Sequence, residues 1–276
     1  VQPDVELTLS YFPEPKLENE VHGNFIKTVD SYNNSIQAFS GTLENNTNFY
    51  LLNNPDQGLG TLNLINLNGA ATNLNGWESA SFGNCFLTSY GLTYGVDSLP
   101  TVTTSYICSN MKFEGLTGTS MVPPSVNLES GNAKDVGRAR FAFVTGTKRP
   151  VLVNPKNSDS TITLQNLQAG GQNLSGIHFV QSLDLSVSLQ RTSSYGLGSD
   201  YSYNRKAQMP AQGSFTVNSL VSGYNDGTIS GILKNETDYT FDLVLNGSGK
   251  NMSYSIEGAK LESFNYSIPV NGIMSF

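Results

Sequence analysis

The chain has 276 residues and a formal charge of -7, from 22 acidic and 15 basic side chains. That balance offers no basic footprint to hold a nucleic-acid backbone through counterion release, so tight DNA binding is not expected. Charged residues make up only 13%, yet 13 Tyr and 14 Phe are present, a composition that excludes a disordered chain and, at this length, fits two domains of roughly 100 to 150 residues each.

From the N-terminus, VQPDVELTLS has no basic n-region, and nowhere do about 18 apolar residues follow one another. The expectation is a soluble chain without targeting or membrane segment. Val5, Leu7 and Leu9 alternate with polar residues, the period of a half-buried strand. A weak helical signal follows at Leu17 to Tyr32, where Val21, Phe25 and Val29 share one face, although Gly23 interrupts it. Alternation returns at Leu62-Leu64-Ile65, Thr161 to Leu164, Leu183 to Leu189, Phe215-Val217, Tyr239 to Leu245 and Tyr254-Ile256. Turn pairs such as Asn68-Gly69, Asn75-Gly76, Asn246-Gly247 and Asn271-Gly272 separate these runs, which favours an all-β sandwich or barrel. The polar stretch Ser130 to Arg140 is the other weak helix candidate.

Three collinear pairs of segments suggest a duplication. SGTLENNTNF from Ser40 matches SGILKNETDY from Ser230 at five of ten positions; VELTLS from Val5 resembles LDLSVS from Leu183; LTSYGLTYGVDSLPTV from Leu87 aligns without a gap to LESFNYSIPVNGIMSF from Leu261. This ruler divides the chain into copy A at 1–115, a connecting or inserted segment with its own strands at 116–176, including GRARFAFV, and copy B at 177–276. Copy B stops at the position aligned with Val102, so either its last strand is short or the natural chain continues.

Residues that could carry chemistry are sparse. His22 and His178 are the only histidines, which forbids a three-His metal site, and no HExxH, GxSxG or P-loop pattern occurs. Glu18 with Glu20, and Asp238 with Asp242, read as solvated or cross-strand charges. Gly196-Leu197-Gly198 lacks the strand-to-helix context of a dinucleotide fingerprint. Seven Asn-x-Ser/Thr sequons, at Asn33, Asn45, Asn173, Asn235, Asn246, Asn251 and Asn265, are expected as accidents of an Asn- and Ser-rich chain. Cys85 and Cys108 are too few for a disulfide framework; buried free thiols are expected, with one bridge open if the two lie on paired strands. The expectation is a protein that is no enzyme and has no metal or cofactor.

The most distinctive stretch is YGLGSDYSYNRKAQMP from Tyr195, set between the strand-like HFVQSLDLSVSLQR and GSFTVNSL. Tyr195, Tyr201, Tyr203, Arg205 and Lys206 form a candidate assembly loop, because Tyr and Arg are enriched where buried interfaces form. FVQSLDLSVSLQR followed by YGLGSDYSYNRKAQMPAQGSFTVNSLV resembles virion structural proteins of tailed bacteriophages, in particular the tail-tube group. The ending IEGAKLESFNYSIPVNGIMSF resembles the final strands of such a domain. The resemblance covers about 100 residues of copy B directly, and copy A through the repeat.

It implies two related β domains and a virion location after assembly in the host cytoplasm. It further implies self-assembly into trimeric or hexameric rings, stacking on other virion proteins, and passage of DNA without specific binding. A second reading of the same tyrosines is a glycan-binding adhesin or receptor-binding module, which would need an exposed stacking platform at Tyr195, Tyr201 and Tyr203. A depolymerase would need a carboxylate pair that no spacing nominates.

Overall fold

A computed structural model describes residues 4–13, 47–53, 65–66, 78–95, 98, 100–115, 139–144, 161–169, 172–173, 179–198, 202–208, 211–221, 239–247, 250–263 and 274–275. Among these residues the structure is all-β, with no helix. The helical signals at 17–32 and 130–138 lie outside the described residues; Ala139 and Arg140 open a strand.

The largest unit is a ten-stranded sheet. Its centre is β4 (Glu78–Gly95), an 18-residue strand. The C-terminal part of β4 pairs antiparallel with β5 (Thr101–Cys108) on one side and β10 (Phe179–Ser188) on the other. Its N-terminal part pairs with β6 (Asn110–Gly115) and β2 (Thr47–Asn53). β1 (Val5–Tyr11) lies against β5, and β13 (Gln212–Val221) against β10, followed by β16 (Met274–Ser275). Beyond β2 come β7 (Ala139–Val144), among the described residues the one parallel neighbour in the sheet, and β3 (Ile65–Asn66). A four-stranded sheet runs β15 (Lys250–Ala259), β14 (Tyr239–Gly247), β8 (Thr161–Ala169), β9 (Gln172–Asn173). β11 (Arg191–Tyr195) and β12 (Ser202–Ala207) form a separate two-stranded ribbon.

Register explains where the core sits. Tyr11 faces Val102, Val102 faces Leu92, Leu92 faces Leu185, and Leu185 faces Phe215, one row of apolar side chains across five strands. Because side chains alternate along a strand, the next inward positions on β5, Thr104, Tyr106 and Cys108, stay on the same face and are buried. A bulge in β4 between Leu87 and Ser89 resets the alternation so that Leu87 and Tyr90 both face this side. Tyr254 of β15 closes over the row, with its hydroxyl 2.7 Å from that of Tyr90, and Ile256 packs beside it. Each fully buried Leu or Val in the row contributes about 1.5 to 3 kcal/mol relative to exposure. The large sheet and the four-stranded sheet therefore share one core.

VELTLS and LDLSVS lie in β1 and β10, Phe49 of β2 aligns with Tyr239 of β14, and Thr101 of β5 with Ser275 of β16, but Leu87–Gly95 lies in β4 whereas its counterpart begins, at 261–263, outside any strand. Their pairing differs, since β1 lies on β5 whereas β16 lies on β13. Strands from both halves stand side by side in one sheet, Leu92 of β4 opposite Leu185 of β10.

Candidate functional site

The described part of the distinctive 195–210 stretch supplies the end of β11 and all of β12, the ribbon that leaves the sheet where β10 ends. The backbone N–H of Leu189 still donates to the Thr88 carbonyl at 2.7 Å, and the Leu189 side chain remains in the core. Past Gln190 the chain belongs to the ribbon, which the Gln208 N–H closes at its base by donating to the Gln190 carbonyl at 2.7 Å. At the far end Gly198 adopts φ 80°, in the left-handed region where glycine carries no Cβ penalty.

Within the ribbon Ser193 pairs with Arg205 and Ser194 with Asn204, but Tyr195 pairs with Ser202. Tyr203 is therefore an extra residue in the ladder, a β-bulge. Strict alternation would send Ser202 and Arg205, three positions apart, to opposite faces. The bulge brings both inward, and both are buried.

Arg205 is fully buried, and its guanidinium is met on every N–H-bearing atom. Nη2 pairs with the Asp4 carboxylate, Nη1 donates to Ser109 Oγ at 2.9 Å, and Nε donates to Ser193 Oγ at 3.2 Å. Arg191, on the facing strand, donates from Nε to the Leu87 carbonyl at 2.5 Å and from Nη1 to the Arg205 carbonyl at 2.9 Å. Both guanidinium carbons sit over the Phe86 ring, 5.3 Å and 5.9 Å from its centroid for Arg191 and Arg205, a cation–π arrangement. Burial, with the positive charge of Arg205 adding to it, pulls Arg191 down from its ordinary range to about 10.

Ser109 is the hub of the network. Its Oγ accepts from Arg205 and from Asn84 Nδ2 at 2.8 Å, leaving its own proton for the Ser202 carbonyl at 3.3 Å, which uses the one donor and two acceptor sites of a hydroxyl. Asn84 has φ 55°, and its backbone N–H donates to Asn48 Oδ1 at 2.9 Å. Asparagine tolerates that backbone better than most residues. Asp4, β4, the β5–β6 junction and both ribbon strands are thereby tied to one buried point.

The ribbon is thus anchored at its base, and the described residues near its tip are exposed. Leu197 is fully exposed and Tyr195 is 41% exposed. On the large sheet, β6 carries two more exposed apolar side chains, Phe113 at 70% and Met111 at 45%. Of the five candidate loop residues, Tyr195 and Lys206 are exposed and Arg205 is engaged inside its own chain. Tyr201 lies outside the described residues, and of Tyr203 only the backbone is described.

His22, His178, Glu18, Glu20 and Asp238 all lie outside the described residues. Asn173, Asn246 and Asn251 fall in β9, β14 and β15, whereas the other four sequon asparagines lie outside. Among the described residues no group of three or more His, Cys, Asp or Glu could hold a metal ion, and no helix is long and apolar enough to cross a membrane.

The Asp4 and Ser109 partners of Arg205 went unforeseen, and nothing local to the sequence announces them. No family model matches the chain, and no curated protein matches it.

Proposed function

We propose that the chain is a virion structural protein, a tail-tube or tail-associated ring subunit that assembles around a DNA-conducting channel. The observation that carries this reading is the β11–β12 ribbon: its base is held by Arg205, Arg191 and Ser109, while Tyr195 and Leu197 at its tip are exposed. A preordered arm loses less conformational entropy on docking than a loose loop, so more of its contact energy appears as affinity. Of the two exposed side chains, Tyr195 is of the type enriched at interface hot spots, and Leu197 adds apolar area beside it.

The segment resembling tail-tube proteins is the one that builds this arm together with β10 and β13, which pair with each other from Phe179/Leu220 to Ser188/Gln212. A ring made this way would also cover sheet edges and the apolar side chains on β6. The surplus of seven negative charges suits a conduit whose walls repel a polyanion during passage.

Negative-stain microscopy of the purified full chain, and of particles carrying it, tests the proposal. Rings or stacked rings with a central channel are expected. A stable monomer, absent from virions, would reject the role.

A further inference from the structure

We propose that Cys85 and Cys108 close a cross-strand disulfide between β4 and β5 when the chain folds in the presence of a small-molecule disulfide oxidant. The register is the same on both sides of the pair, across an interruption at Asn84, whose φ is 55°, and Ser109. Phe86 faces Ile107 and Gly83 faces Asn110, so Cys85 falls directly opposite Cys108. Directly opposed residues on antiparallel strands have Cα atoms about 4.5 to 5.5 Å apart, within the roughly 4.4 to 6.8 Å that a disulfide spans. Both side chains lie on the buried face in one apolar cluster with Leu7, Phe49, Leu87 and Tyr106. In the structure both cysteines are free thiols.

The same burial determines when the bond forms. Thiol–disulfide exchange requires a thiolate and access to it. Burial, reinforced by the hydrogen bond and charge of Cys108, pushes the Cys85 thiol well above its ordinary range; Arg205 and the Phe49 backbone pull weakly the other way. A folded, reduced chain is therefore shielded from oxidation, and exchange takes place while β4 and β5 are still separate.

With oxidised glutathione the deprotonated Cys108 attacks one glutathione sulfur and expels a glutathione thiolate. Deprotonated Cys85 then attacks the Cys108 sulfur of the mixed disulfide and expels the second. Two thiols have lost two protons and two electrons, and one glutathione disulfide has become two glutathione thiols. The bond does not depend on any role in assembly.

The full chain, unfolded with reductant and refolded by dilution into a glutathione redox couple, is denatured with an alkylating agent and weighed intact. Expected are no alkylation, a mass about 2 Da below the reduced chain, and a Tm higher by roughly 5 to 10 °C. Chain refolded in reductant and then exposed, still folded, to an aromatic disulfide reagent is expected to keep both thiols. A folded product of the redox couple with two alkylatable thiols, glutathione adducts or a chain-to-chain disulfide would overturn the proposal. Folded reduced thiols reacting as fast as denatured ones would overturn the buried placement beneath it.

Discussion

Without the carboxylate of Asp4, the Arg205 guanidinium would remain fully buried with only hydroxyls and the Phe86 ring as company. A buried charge that loses its counterion costs several kcal/mol, because the desolvation of the cation is no longer offset. Asp4 is itself 32% exposed, so the expected loss for Asp4→Ala is about 2 to 4 kcal/mol, below the largest losses seen for buried pairs. Asp4→Asn retains an acceptor oxygen and is expected to lose less. Arg205→Lys is expected to fall near Asp4→Ala, since an ammonium on a flexible stem cannot reproduce the fork that reaches Asp4, Ser109 and Ser193 together. Urea denaturation midpoints of the three variants check the ranking. An Asp4→Ala protein as stable as the parent would show that the pair contributes nothing to holding the ribbon.

At the scale of elements the bulge at Tyr203 decides where Ser202 faces, while Arg205 is placed by its regular pairing with Ser193. Deleting Tyr203 would leave Ser202 and Arg205 two positions apart, and plain alternation would then turn both inward without a bulge. The deletion is therefore expected to keep the ion pair, and Asp4→Ala added to it is expected to cost about as much as it does in the parent chain, because losses at independent devices add. Tyr203→Ala keeps the residue count and is expected to keep the pair. A four-corner cycle of unfolding free energies measures this; strong non-additivity would show that the ion pair depends on the bulge.

The bulge also shows what the sequence could convey. Alternation in VELTLS, LDLSVS and YTFDLVL is visible because those strands carry apolar residues at every second position, and they are β1, β10 and β14. The central strand β4 gives no such signal, since from Phe82 to Leu87 its side chains are buried on both faces. Arg205 reads as an exposed interface residue by type. Its inward direction follows from its place opposite Ser193, and its partners Asp4 and Ser109 come from segments distant in the chain. Such contacts are set by register, which a linear pattern does not record.

For the whole molecule, one large sheet carries strands of both sequence repeats and shares its core with the four-stranded sheet through Tyr90 and Tyr254. The anchored ribbon ends in Leu197, which makes no contribution to that core. If the tip docks on a neighbouring subunit, Leu197→Asp is expected to leave the unfolding midpoint unchanged and to raise the concentration needed for association by roughly tenfold or more, the size of effect expected for an interface anchor. Sedimentation velocity of the full chain and this variant across a concentration series tests the central claim most directly. The account predicts species that are multiples of the 29.8 kDa chain and a shift to monomer in the variant; a parent chain sedimenting as a monomer at every concentration would contradict it.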